Sequence, residues 1–210
     1  KQFIENASHE MQTPLSVIQS RLEALIGQAE LTQEQAEIVE GIIESTQRLK
    51  KLNKTLLLLS KIENRQFLLA EQIDINNIIS QSMEYYEEQK ASLNISVKTE
   101  TQDHLVVHGN VMLTEILIQN LLKNAFLHNK ENGMVNIQTK EKKLMIANTG
   151  DEKQGKGTVL EKDKLFSRFY KQSGNPDTWG LGLAIARKIA ETSGWELHYH
   201  QKDGLHVFEL

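Results

Sequence analysis

From Ile4 to Leu59 the chain repeats itself in steps of four and three. Apolar or small residues stand at Ile4, Ser8, Met11, Leu15, Ile18, Leu22 and Leu25, and again at Ile38, Ile42, Ser45, Leu49, Leu52, Leu56 and Leu59. A heptad rhythm of this kind gives a helix one apolar seam and leaves the rest of its surface polar. The polar break from Gly27 to Gln33 is long enough only for a short turn, so the two stretches read as a helical hairpin. One hairpin cannot cover its own seam, whereas two side by side make a four-helix bundle, and a homodimer is therefore expected.

From about Glu71 the period changes. Ile73–Ile75, Ile95–Thr99, Leu105–Val107, Val135–Thr139, Leu144–Ala147, Trp195–Tyr199 and His206–Phe208 alternate as strands do, and helical patterns cover 76–91, 112–127 and 181–193. Strands and helices mixed in this order predict helices layered on a sheet. The expected fold class is α+β, with an N-terminal hairpin (residues 1–66) that dimerises into a four-helix bundle, followed by an α/β sandwich (67–210).

Composition removes several functions. The chain has no cysteine, so disulfides and thiolate metal sites are excluded. A net charge of -4 with 6% aromatics lacks the basic stripe and interleaved rings of a nucleic-acid binder. No apolar run approaches membrane-spanning length, and no signal peptide is visible. Lys1 stands inside what reads as helix, so a longer parent is expected, anchored in a membrane only through segments absent from this sequence.

His9 is the chemical centre of the first helix. Imidazole is accessible as free base and as cation near neutral pH, so a ring nitrogen can act as nucleophile. Glu10 can hold one ring N–H and thereby free the other nitrogen. Thr13 lies one turn further on the same face. Pro14 cannot donate to the Glu10 carbonyl, so a bend is expected beside the histidine. In the second part, Asn120 and Asn124 share a helical face directed away from Leu117, Leu121 and Leu122, and carboxamide oxygens suit a Mg²⁺ ion that already carries phosphate oxygens. Gly180 and Gly182 precede a helical pattern, where free backbone amides meet phosphates. The polar, glycine-rich stretch from Asp151 to Thr178 reads as a mobile lid, with positive charge from Lys162, Lys164, Arg168 and Lys171.

Phe3-Ile4-Glu5-Asn6-Ala7-Ser8-His9-Glu10-Met11-Gln12-Thr13-Pro14-Leu15 resembles the H box of sensor histidine kinases, with Gln12 in place of the usual basic residue. Leu117 to His128 resembles the N box of the GHKL ATP-binding fold, Ile146 to Gly150 the first glycine box, Leu165 to Lys171 the F box, and Trp179 to Ile185 the second glycine box. The resemblance covers essentially the whole chain. It implies ATP and Mg²⁺ as cofactors, with Asn124 as the metal ligand and Asn120 nearby. It places His128 against the nucleotide, the Asn148 position on the adenine amino group, and Gly150, Phe166, Arg168, Gly180 and Gly182 among the nucleotide-binding residues. Arg168 is the candidate γ-phosphate contact. It further implies that His9 is phosphorylated from ATP and passes the phosphoryl group to an aspartate of a response regulator docked on the hairpin. Thr13 would position a water for the reverse, phosphatase reaction.

Besides Gln12, the chain departs from the family pattern at five points. Leu127 replaces a basic residue of the N box, Asn148 an aspartate, Thr178 and Glu152 glycines, and Trp179 is bulkier than its usual counterpart. An asparagine amide carries one donor and one acceptor, so Asn148 can pair with adenine or guanine unless its neighbours clamp it. These departures keep an alternative open: a non-catalytic dimeric signalling scaffold or a phosphatase-biased pseudokinase.

Overall fold

The computed structural model describes residues 2–28, 31–67, 70–101, 104–150, 162–171 and 178–210, and within them the side chains of all but residues 2–9, 28, 162 and 163. The chain divides into two compact units, Lys1–Gln66 and Phe67–Leu210.

The first unit is a helical hairpin. Helix α1 (Gln2–Gln28) runs unbroken through Pro14, and α2 (Gln33–Glu63) packs along it. Thr32 starts α2 with a capping box, its hydroxyl accepting from the Gln35 amide while the Gln35 side chain accepts from the Thr32 amide. That reciprocal pair satisfies two of the donors that a helix start leaves free. Lys50 of α2 reaches Gln19 of α1 at 2.5 Å. Leu15, Val39, Leu57, Leu59 and Ile62 are buried within the hairpin. Much of the heptad seam is not: Met11, Ile18, Leu25, Ile38, Ile42 and Leu49 stand 43–58% exposed.

The second unit opens with β1 (Glu71–Asp74) and α3 (Ile75–Met83), which Asp74 caps through its carboxylate. A 3₁₀ turn over Glu84–Tyr86 separates α3 from α4 (Glu87–Ser92), so the single helix expected over 76–91 is interrupted. There the Tyr86 ring leaves the helical path to stack on Phe126, centroids 4.5 Å apart and nearly parallel. Then follow β2 (Ser96–Thr101), β3 (Val106–Gly109), α5 (Val111–Leu127), β4 (Met134–Lys140), β5 (Lys143–Thr149), α6 (Lys162–Leu165), α7 (Gly182–Ser193), β6 (His198–Lys202) and β7 (Leu205–Glu209). Strand β6 begins later than the sequence pattern suggests. Gly194, in the left-handed region, ends α7, and the Trp195 amide returns to the Ala190 carbonyl, which keeps Trp195 out of the sheet.

Five strands form one sheet in the order β2-β4-β5-β7-β6, with β2 and β4 parallel and the other neighbours antiparallel; β1 and β3 pair separately. Helix α5 packs on α7 and on β5. Leu117, Ile118, Leu121, Leu122, Ala125 and Phe126 of α5 are fully buried with Val135, Ile137, Ile146, Ile189 and Phe208. The consequence for function is positional. The ends of α5 and β5 and the start of α7 are held by one rigid core.

Candidate functional site

Asn129 and Thr149 tie the end of α5 to the end of β5. The Asn129 amide donates to the Ala125 and Met134 carbonyls at 3.2 and 3.1 Å, and its oxygen accepts from the Thr149 hydroxyl at 2.5 Å. The Met134 amide in turn donates to the Thr149 hydroxyl at 2.9 Å. Every polar atom of this small cluster is engaged, so the two element ends cannot drift apart cheaply.

Beside that joint lies Asn148, 1% exposed. Its amide nitrogen donates to the Thr149 carbonyl at 2.9 Å, while its oxygen is buried without a partner. A buried acceptor left unpaired costs roughly 1–3 kcal/mol, so it is poised to take a donor. The neighbouring carbonyl clamps the amide nitrogen, so the end left unpaired is the acceptor, as an aspartate oxygen would be. Asn148 and His206 are register partners across β5 and β7, and so project from the same face.

Asn120 and Asn124 both lie half-buried on α5. The Asn120 amide donates to the Ile116 carbonyl at 2.8 Å, and its oxygen crowds Gly182, the first residue of α7. The Asn124 carboxamide has no hydrogen-bond partner among the described residues, which leaves a neutral hard oxygen free. His128 ends α5, half-buried. Burial first, and the nearby His206 ring second, push its pKa below the ordinary value, so the ring is held neutral.

Gly180 has φ of +63°, and a side chain there would collide with the Tyr170 carbonyl. The Phe169 amide donates to the Gly180 carbonyl at 2.9 Å. The segment around Phe166 and the start of α7 are thus joined backbone to backbone, at a place only glycine fits. The Phe166 ring meets Phe208 edge-on at 6.5 Å, with the Arg187 guanidinium over it at 5.2 Å. That places Phe166 as an anchor into the core. Arg168 is exposed, and Lys171 sits 5.9 Å over the Trp179 ring.

In the first unit Glu10 and Thr13 are exposed on α1, and the His9 side chain lies outside the described ones. Most of the expected lid, residues 151–161 and 172–177 with the substituted Glu152, likewise lies outside the described residues. Leu127, Thr178 and Trp179 are half-buried. The structure therefore gathers Asn120, Gly182 and Gly180 through α7, and Asn148, Gly150 and His128 around His206. Sequence reading missed His206, Thr149 and Asn129. Thr149 lies in the first glycine box but was given no role there, Asn129 and His206 belong to no box, and the only signal for His206 was its place in a strand whose partner could not be read locally.

A helix start with free amides packed against a carboxamide-bearing helix, following a helical hairpin in the chain, fits a nucleotide-binding unit preceded by a phosphoacceptor unit. Residues 1–65 match the family described as His Kinase A (phospho-acceptor) domain, and residues 109–209 match the family described as Histidine kinase-, DNA gyrase B-, and HSP90-like ATPase. The chain belongs to the sensor histidine kinases of two-component systems. It is 33% identical over 194 residues to the heme sensor protein HssS of Staphylococcus epidermidis, covering 89% of this chain and 41% of that protein. It is 28% identical over 213 residues to the sensor protein CutS of Streptomyces coelicolor, covering 97% of this chain and 50% of that protein. The chain thus spans half or less of these curated relatives. Among solved structures, full-length ShkA in complex with AMPPNP superposes with a TM-score of 0.79 at 21% identity, over 99% of this chain and 45% of that one. The catalytic domain of the histidine kinase ThkA superposes at 0.56 with 26% identity, over 68% of this chain and 95% of that one.

Proposed function

We propose that this chain is the catalytic core of an ATP-dependent protein-histidine kinase. In this reading residues 1–66 carry dimerisation and phosphotransfer, and residues 67–210 bind ATP. The observation that carries it is the buried, unpartnered oxygen of Asn148 on β5 together with a half-buried Asn124 on α5, two elements packed in one core. These residues fit a nucleotide.

The Asn148 oxygen accepts from the adenine amino group, and the first amides of α7, at Gly182 and beyond, meet phosphate oxygens. Asn124 would hold Mg²⁺, which neutralises charge on the β- and γ-phosphates. Arg168 adds charge toward the γ-phosphate. Glu10 keeps one N–H of the His9 ring, so the opposite nitrogen carries the free lone pair. That nitrogen attacks the γ-phosphorus; a P–N bond forms, the bond to the β,γ-bridging oxygen breaks, and ADP leaves with the electron pair. The proton lost from the ring passes to Glu10 or to water. The phosphoryl group then moves to an aspartate of a response-regulator receiver domain, and Thr13 orients a water when the reaction runs as a phosphatase.

The exposed heptad seam supports a homodimer. Six large apolar residues at 43–58% exposure are what a second hairpin would cover. Among the described residues no helix is long and apolar enough to cross a membrane.

Incubation with γ-labelled ATP tests the reading. Label should enter the protein as an acid-labile, base-stable phosphoramidate and be absent from His9→Gln. Undiminished labelling of His9→Gln would refute His9 as the acceptor.

A further inference from the structure

The His206 ring is fixed at both ends. Its Nδ1 lies 2.7 Å from the Tyr199 hydroxyl, and a methyl group added at Gly150 would overlap the ring at Nε2. Tyr199 is buried, its hydroxyl pushed up to about 12 by that burial, so it keeps its proton at neutral pH. Among the described residues His206 Nδ1 is the one acceptor within hydrogen-bond distance of that buried hydroxyl, so the hydroxyl proton is directed to it. A neutral imidazole that accepts at Nδ1 must carry its proton on Nε2. Burial holds His206 neutral by lowering its pKa. The Nε2–H so assigned has no partner among the described residues.

The register sets this donor beside an acceptor. His206 faces Asn148 across β5 and β7, and Asn148 presents its unpartnered oxygen on the same face. For a base held in one orientation, one acceptor and one donor side by side match the edge of one purine. Adenine offers the N6 amino donor next to the N1 acceptor, whereas guanine offers O6 as acceptor and N1–H as donor, wrong at both points.

Building on the ATP-binding reading above, we infer that His206 is a second base-reading residue. Its Nε2–H donates directly to adenine N1 while the Asn148 oxygen accepts from the N6 amino group. Gly150 is required because any side chain would push the ring off this line. Tyr199 is the positioning residue that sets the tautomer.

Binding of ATP and of 1-deaza-ATP, which carries C–H in place of N1, tests this on the whole chain at pH 7.5. The unsubstituted protein should favour ATP by about tenfold or more, the worth of one good base contact. His206→Phe keeps the ring and removes the donor, so it should bind both nucleotides alike, at the level of 1-deaza-ATP in the unsubstituted protein. In the unsubstituted protein labelled with ¹⁵N-histidine, the His206 Nε2–H resonance should move downfield with ATP and not with 1-deaza-ATP. This readout needs no variant to fold. Equal affinity of the two nucleotides for the unsubstituted protein, an unchanged ratio in His206→Phe, or the same resonance shift with both would overturn the inference while leaving ATP binding intact. Failure of the unsubstituted protein to bind ATP would instead remove the kinase reading itself.

Discussion

Replacing Asn148 separates the two ends of its carboxamide. The side chain is 1% exposed, its nitrogen is committed to the Thr149 carbonyl at 2.9 Å, and its oxygen awaits a donor. Asn148→Asp keeps the acceptor but sets a second oxygen against the Thr149 carbonyl. The free protein then loses one hydrogen bond and gains a repulsion in a dry site, about 1–3 kcal/mol of stability. The nucleotide preference should barely move, because an acceptor meets the adenine amino group in both proteins. Asn148→Ala removes the acceptor and should weaken ATP by about 1–3 kcal/mol, roughly ten- to a hundredfold, with GTP much less affected. Competition binding of ATP and GTP to the three proteins, alongside their thermal unfolding, measures both quantities. An ATP-to-GTP ratio that rises tenfold or more in Asn148→Asp would refute the reasoning, since it would show that the unsubstituted amide turns over and accepts either base.

Other perturbations reach different parts of the chain. Thr13→Ala on α1 should leave His9 labelling intact and slow dephosphorylation of the regulator; equal loss of both rates in parallel assays would point to helix damage instead. Asn129→Ala removes the acceptor of the Thr149 hydroxyl proton and the donor to the Ala125 and Met134 carbonyls and should cost about 1–3 kcal/mol, read by urea unfolding of the second unit. Leu49→Asp places a charge on the exposed seam twice per dimer and should weaken self-association by at least about a hundredfold in sedimentation equilibrium. Acid should loosen the second unit before its carboxylates titrate. His128 and His206 have pKa values lowered below the ordinary 6.5, so the unfolded chain binds more protons there. Their contribution is whole above about pH 6.5 and is lost as pH falls through the lowered values. Glu209, held down first by the hydrogen bond from Lys143, contributes only in a lower window, lost as pH falls below its ordinary 4.5. The unfolding free energy of the unsubstituted protein should therefore decline from about pH 6.5 downward, and His128→Gln should flatten that slope.

What the sequence determined by itself was everything carried by local spacing. The four-three rhythm from Ile4 to Leu59 required a hairpin with an uncovered seam, because heptad periodicity acts within a single helix and needs no knowledge of the rest of the chain. The N box pattern placed Asn120 and Asn124 on one face of α5 for the same reason. Pairings between distant segments were beyond its reach. That His206 of β7 stands opposite Asn148 of β5 depends on sheet order, and a one-residue slip in register would have turned the ring to the other face. The orientation of the Asn148 amide was likewise decided in three dimensions. A free amide can turn either way, and only the buried carbonyl of Thr149 at 2.9 Å selects the acceptor as the end presented to a ligand.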